Sequence, residues 1–169
     1  MAEAVPLAGV LGRFGSKVTL DESAADMPCL WVPPEALTEL CLFLRDSADL
    51  QFNFLSDICG VDFHPEEPRF LLVYHLASIP NHWRLRLKCR LGDPPVAPTV
   101  TPVWTTANWH ERETYDMYGI HFDGHPDLRR IYMWDGFDGF PMRRDFPLRG
   151  YKDEMNPLGA TRRDDGGRA

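Results

Sequence analysis

The sequence predicts an α+β fold: a small antiparallel or mixed sheet with packed helices, followed by one further helix and an extended C-terminal arm. Three observations point to it. Residues 83–91 alternate apolar (Trp83, Leu85, Leu87, Cys89, Leu91) with cationic (Arg84, Arg86, Lys88, Arg90), the period of a half-buried strand. Leu37, Leu40, Cys41 and Leu44 recur at i, i+3, i+4 and i+7, which places them on one face of a helix. Residues 107–118 read as a second helix stopped by Gly119, and the chain beyond is aromatic, charged and broken by prolines. The expected division is an α+β domain over 1–104, a helix and docking arm over 105–156, and a flexible tail over 157–169.

In chain order, residues 7–14 form a short helix weakened by Gly9 and Gly12. Residues 17–20 and 29–32 are brief extended pieces with a loop between them. Pro33 and Pro34 open the first amphipathic helix, over about 34–45, because proline costs no hydrogen bond in a first turn. Phe43 lies off its apolar stripe and leans over the edge. Residues 52–59 fit either a helical turn or a strand, and Asp62 with residues 64–68 reads as loop. The branched and aromatic run at 69–79 is a strand. Pro80 and Asn81 turn it into the alternating strand at 82–91, giving a long hairpin. Residues 92–102 are a loop, with a short edge strand at 98–104 that its prolines keep from the middle of a sheet.

Composition weighs against several function classes. The formal net charge is -7, whereas nucleic-acid phosphates need a basic surface. The cationic face of the 82–91 strand has no interleaved aromatics, so it is a solvent-facing strand or one covered by an acidic partner. Cys29, Cys41, Cys59 and Cys89 are too far apart for a CxxC pair, so the ligand runs of zinc and iron–sulfur sites are missing. No stretch approaches the ~18 apolar residues that span a bilayer, and no basic region precedes the first apolar run. A cytoplasmic chain is expected, meeting a membrane only through an assembly.

The helix at 107–118 and the arm carry the unusual chemistry. Thr105 or Thr106 caps the helix, and Asn108 with Glu111 matches a capping box. Glu111, Glu113 and Asp116 could form an acid–base cluster, but general catalysis needs a carboxylate moved toward neutrality, and Arg112 opposes that. The plainer reading pairs Arg112 with Asp116 one turn on and lets the glutamates favour the positive helix end. His121, Asp123, His125 and Asp127 have the elements of a metal site, but Gly119, Gly124 and Pro126 argue against the helix that His-x-x-x-His requires. Residues 125–128 should turn and restart a helical turn, with Leu128 and Ile131 inward and Arg129 and Arg130 projecting. Residues 134–141 lack the spacing of a phosphate loop. Residues 142–151 run extended. So long an irregular run implies disorder or function, and its aromatics argue against disorder. An arm laid across a neighbour satisfies both facts, with Phe and Tyr as anchors and Arg at their edge.

The run Asn108-Trp109-x-Glu111-Arg112-Glu113-x-Tyr115-Asp116-Met117-Tyr118-Gly119-Ile120 resembles the thirty-kilodalton subunit family of respiratory complex I, in bacteria the C-type subunit of NADH-quinone oxidoreductase. Phe122-x-Gly124-His125-Pro126-Asp127-Leu128-Arg129-Arg130-Ile131 continues the likeness, as does Gly139-x-Pro141-x-Arg143-Arg144-Asp145-Phe146-Pro147-Leu148. Phe52-x-x-Leu55-x-Asp57-x-x-Gly60-Val61-Asp62 extends it more loosely. The resemblance implies a structural subunit of the peripheral arm, whose C-terminal segment lies against a separate, larger subunit of the forty-nine-kilodalton type near the quinone module. It also implies neighbouring iron–sulfur subunits, and FMN and iron–sulfur clusters in those partners but none in this chain. The family's whole complex passes electrons from NADH to quinone and translocates protons. Such a chain sits on the cytoplasmic side of the cell membrane as a peripheral component. By this resemblance the interface residues are Trp109, Glu111, Arg112, Glu113, Tyr115, Asp116, Gly119, His125, Pro126, Arg129, Arg130, Arg143, Arg144, Asp145, Phe146 and Pro147, with no catalytic, cofactor or metal residues. The rivals are the equivalent subunit of a ferredoxin-dependent quinone oxidoreductase or membrane-bound hydrogenase, a free-standing hydrolase using the 111–116 carboxylates or the 121–127 cluster, and a nucleic-acid module.

Overall fold

The computed structural model describes residues 5–161. In chain order it runs α1 (Ala8–Phe14), a 3-10 turn (Gly15–Lys17), β1 (Thr19–Leu20), β2 (Cys29–Trp31), α2 (Pro34–Asp46), β3 (Phe54–Asp62), β4 (Phe70–Ser78), β5 (Trp83–Leu91), β6 (Val96–Pro98), α3 (Ala107–Tyr118) and β7 (His121–Asp123). The strand with the clearest alternation, β5, is the middle of a five-stranded sheet ordered β1-β2-β5-β4-β3. The sheet is mixed: β2 lies parallel to β5, and the other neighbours are antiparallel. A separate two-stranded parallel sheet joins β6 to β7. The fold class is the α+β architecture expected.

One face of the sheet holds the core. Phe70, Leu72, Tyr74 and Leu76 of β4 stand opposite Leu91, Cys89, Leu87 and Leu85 of β5, all buried. Helix α2 lays Ala36, Leu37, Leu40, Cys41 and Leu44 into the same cluster. Phe43 rests at the margin, tilted on Phe14 at 5.9 Å between ring centroids. Helix α3 runs along β3, where Thr114 Oγ1 donates to the Ile58 carbonyl at 3.3 Å. The Tyr118 ring fills the space over Gly60, which a side chain there would occupy. The other face of β3, β4 and β5 is open to solvent, with Phe54, Cys59, Arg84 and Arg90 exposed. Strand β4 is nonetheless covered on both sides, since Leu71 and Val73 are buried among their neighbours. That explains its unbroken apolar run.

The structure corrects several expectations. The ambiguous 52–59 stretch is strand from Phe54 onward, and Asp62 ends that strand rather than lying in a loop. The edge strand foreseen at 98–104 is instead Val96–Pro98. Past it, the Val100 N–H goes to the Glu111 carboxylate, and Val103 and Trp104 N–H both return to the Val100 carbonyl. That backbone is therefore committed to a turn against α3. Thr106 does not cap α3 through its side chain. The chain already winds in turns before the helix, so the N–H groups of Ala107, Asn108 and Trp109 find the carbonyls of Trp104, Thr105 and Thr106. Gly119 ends the helix as foreseen, left-handed at φ +73°. The flexible tail expected at 157–169 is only partly described: Gly159 and Ala160 are tied back to Asn156 and Gly150, and residues 162–169 lie outside the described residues.

Candidate functional site

Helix α3 brings three charged side chains into the interior: Glu111, Arg112 and Asp116. Asp116 is the hub of the arm. Its carboxylate accepts the N–H groups of Ile131, Tyr132 and Met133 at 3.0, 2.7 and 2.9 Å, and Arg130 Nη1 at 2.7 Å. Burial alone would push its pKa up. The three amides and Arg130 outweigh burial and hold it below the usual carboxylate value. Arg130 also donates to the Gly139 carbonyl at 3.0 Å and lies over the rings of Phe137 and Phe140. It thus ties two turns of the arm to the helix end. The expected Arg112–Asp116 pair does not form. Arg112 instead stacks over Trp109 at 5.0 Å and donates to the Arg129 carbonyl at 3.2 Å. The helical restart at 126 is also absent, because residues 131–133 must present consecutive N–H groups to Asp116, and Arg130 turns inward rather than projecting.

Glu111 is a different kind of buried charge. It accepts the Val100 N–H at 2.7 Å and the Thr99 hydroxyl, and no guanidinium or ammonium pairs with it among the described residues. Desolvation outweighs those two hydrogen bonds and pushes its pKa up to about 7. His125 Nε2 lies 3.9 Å from it. The Asp127 N–H donates to His125 Nδ1 at 3.0 Å, which assigns the ring proton to Nε2, 3.3 Å from the Asn108 carbonyl. Burial lowers the His125 pKa and so favours the neutral ring beside Glu111.

The arm closes on the sheet through a second cluster that sequence reading missed. Arg69 binds Asp62 with two parallel hydrogen bonds of 2.9 and 2.8 Å and reaches Asp145 at 2.8 Å. Asp62 also accepts the Arg144 N–H at 2.9 Å. Burial raises its pKa, but Arg69 and the amides prevail and hold it well below the carboxylate range. Arg143 donates to the Tyr118 carbonyl at 2.6 Å, its guanidinium between the rings of Phe70 and Phe140. Desolvation and Arg69 lower its pKa. Beyond it, Phe137, Phe146 and Tyr151 pack in sequence, the first pair tilted and the second edge-on, with centroids 5.9 and 5.3 Å apart. The spacing of Asp62 and Arg69 across a short loop was a readable signal. Their joint reach to Asp145 was not.

The model of the family described as "Respiratory-chain NADH dehydrogenase, 30 Kd subunit" matches residues 30–152. The chain belongs to that family. The second C-type subunit of NADH-quinone oxidoreductase in Rhizobium etli (strain CIAT 652) is 63% identical over 153 residues, covering 90% of this chain and 82% of that protein. Its namesake in Rhizobium meliloti (strain 1021) is 62% identical, covering 92% and 86%. One solved structure, described as that of the membrane-bound sulfane sulfur reductase (MBS), an archaeal respiratory membrane complex, contains a chain of the same fold. Its TM-score is 0.71 at 22% identity, with 84% of each chain covered.

Within this member of the NADH dehydrogenase subunit family the anticipated residues fall into two groups. Asp116 and Arg130 meet directly, and Gly119 is crowded by Phe140 and Arg143. Glu111 and His125 form the second internal pair, with Pro126 in the turn beside them. Arg143, Arg144 and Asp145, read from the sequence as docking contacts, are engaged inside the chain. Tyr115 meets Phe140 edge-on at 6.5 Å, and Phe146 and Pro147 are half-buried in the arm. Trp109, Glu113 and Arg129 face solvent; Arg129 reaches no farther than Asp127, 2.8 Å away. His121 and Asp123 pair at 3.4 Å on an exposed strand, and no three His, Cys, Asp or Glu side chains converge as metal ligands among the described residues. No helix among those residues is long and apolar enough to cross a membrane.

Proposed function

We propose that this chain is a structural and assembly subunit, performing no chemistry itself, in the peripheral arm of a proton-translocating NADH-quinone oxidoreductase. It docks on the large subunit of the forty-nine-kilodalton type, beside the iron–sulfur subunits. FMN and the clusters reside in those partners, and the chain reaches the cytoplasmic side of the membrane through the complex alone. The named relatives are C-type subunits of NADH-quinone oxidoreductase. The observation that carries the reading is the outward surface of the arm. Leu148 and Leu158 are almost fully exposed, and Tyr132, Trp134, Met142 and Met155 are exposed with them. Yet the same segment is fastened to the domain by Asp116, Arg130 and Arg143. A run of large apolar side chains held outward on an ordered segment marks a protein-binding surface. The buried carboxylates are meanwhile spent on backbone amides, a hydroxyl and arginines.

The test is mass spectrometry of native complexes purified through this chain, with and without Leu148→Asp and Leu158→Asp. The unsubstituted chain should bring down the large partner subunit, and the double substitution should release it while the circular dichroism of the chain is unchanged. Turnover and a bound cofactor in the chain alone would overturn the reading.

A further inference from the structure

We propose that the open face of the sheet is a second docking surface, shaped for an acidic amphipathic helix of a neighbouring subunit. The proposal rests on the subunit reading above, but uses the sheet face rather than the arm's apolar surface, which approaches that face only at Met142, beside Cys59. Its two walls differ. Strand β3 presents Phe54, 47% exposed, with Cys59 and Val61, 36% exposed. Strand β5 presents Arg84, Arg86, Lys88 and Arg90. Between them β4 contributes Leu71, Val73, His75 and Ala77, which lie opposite Arg90, Lys88, Arg86 and Arg84. Rows two strands apart stand about 10 Å from each other, close to the width of an α-helix. The face is therefore a shallow trough whose β3 wall is apolar except at Asp57 and whose β5 wall is cationic, with Arg86 and Lys88 already paired to Asp26 and Asp21 and Arg84 and Arg90 left to a partner.

Charge complementarity selects the occupant. The chain itself shows what the cationic row accepts. Asp26 takes Arg86 with two hydrogen bonds, and Asp21 takes Lys88 at 2.6 Å. Arg84 and Arg90, at the two ends, pair with no carboxylate among the described residues. Arg90 is held in place over the Trp31 and Phe63 rings, its guanidinium 5.6 and 4.6 Å from their centroids. The same face of a second copy of this chain would bring no acidic row to match. Asp57, beside His110 at 3.2 Å, is the one carboxylate at an outward position of these three strands. Nucleic acid would meet a chain of net charge -7. A helix with apolar residues on one side and carboxylates on the other satisfies both walls at once.

The experiment compares the full-length chain alone with the complex purified through it. Iodoacetamide should alkylate Cys59, the exposed thiol on the apolar wall, at least tenfold more slowly in the complex. In the Arg84→Lys variant a zero-length carbodiimide reagent should couple the new amine to an acidic helix of another subunit. Arg84→Glu with Arg90→Glu should release that subunit while the large partner held by the arm stays. Equal Cys59 reactivity in both states overturns the proposal, as does coupling to a second copy of this chain. If the large partner is present and Cys59 remains open, this proposal fails alone. If the chain brings down no partner, the subunit reading fails and this proposal with it.

Discussion

Replacing Glu111 with glutamine probes the most unusual electrostatic feature of the fold. The carboxylate is fully buried, holds two hydrogen bonds and faces a neutral imidazole. Its pKa near 7 compares with ~4.3 for an ordinary glutamate. A group whose pKa rises on folding binds more protons in the native state than in the unfolded one. Its stabilising contribution is complete below about pH 4.3 and is lost as the pH climbs through 7. The difference amounts to roughly 3–4 kcal/mol in all, of which roughly 2–3 kcal/mol falls between pH 5 and 8. Glutamine cannot ionise, but it keeps the shape, an acceptor for Val100 N–H and a donor for the Thr99 hydroxyl. Urea titrations of the native chain and Glu111→Gln, followed by tryptophan fluorescence at pH 5, 6, 7 and 8, give the difference in unfolding free energy. Using the difference cancels the titrating groups remote from Glu111 and leaves the Glu111–His125 pair, 3.9 Å apart, as its source. The native chain should lose roughly 2–3 kcal/mol relative to the variant across that range. A difference flat to within ~0.5 kcal/mol would refute the claim that burial governs this carboxylate.

Three other outcomes are expected. Asp116→Asn leaves the half-buried Arg130 without its counter-charge and should cost roughly 3–5 kcal/mol in a urea titration. Because the Asp116 pKa is depressed in the fold, its contribution is present above ordinary aspartate values near 4 and disappears as the pH falls below them. Gly60→Ala would set a β-carbon 2.6 Å from the Tyr118 ring and should destabilise by about 1–3 kcal/mol, less in a Tyr118→Ala background; equal costs in both backgrounds would remove the ring as the cause. Of the four thiols, Cys59 alone should alkylate in the native chain. Burial and Asp57 push its pKa up to about 12, so its rate should keep rising through pH 10, and a plateau near pH 9 would contradict that environment.

Local patterns were legible in the sequence, and distant pairings were not. The β4–β5 hairpin, the α2 stripe and the Gly119 stop each depend on residues within one element, so period and glycine geometry reveal them. Asp116 shows the limit. Neighbour rules on a helix offered Arg112 four residues back, whereas its partner is Arg130, brought in by the arm. The β6–β7 sheet was missed for the same reason, since two three-residue strands become recognisable only once α3 folds them together. The family likeness singled out residues 107–150. It could not say that Arg143 and Arg144 turn toward their own domain.

Asp116 grips residues 131–133 by their peptide nitrogens, and those nitrogens are the same whichever side chain follows, proline excepted. The fastening is therefore blind to the lettering of the segment it fastens. Tyr132 and its neighbours can drift to suit a changing companion protein without loosening the knot beneath them. A lineage can so rewrite the outer text of the arm while its binding holds.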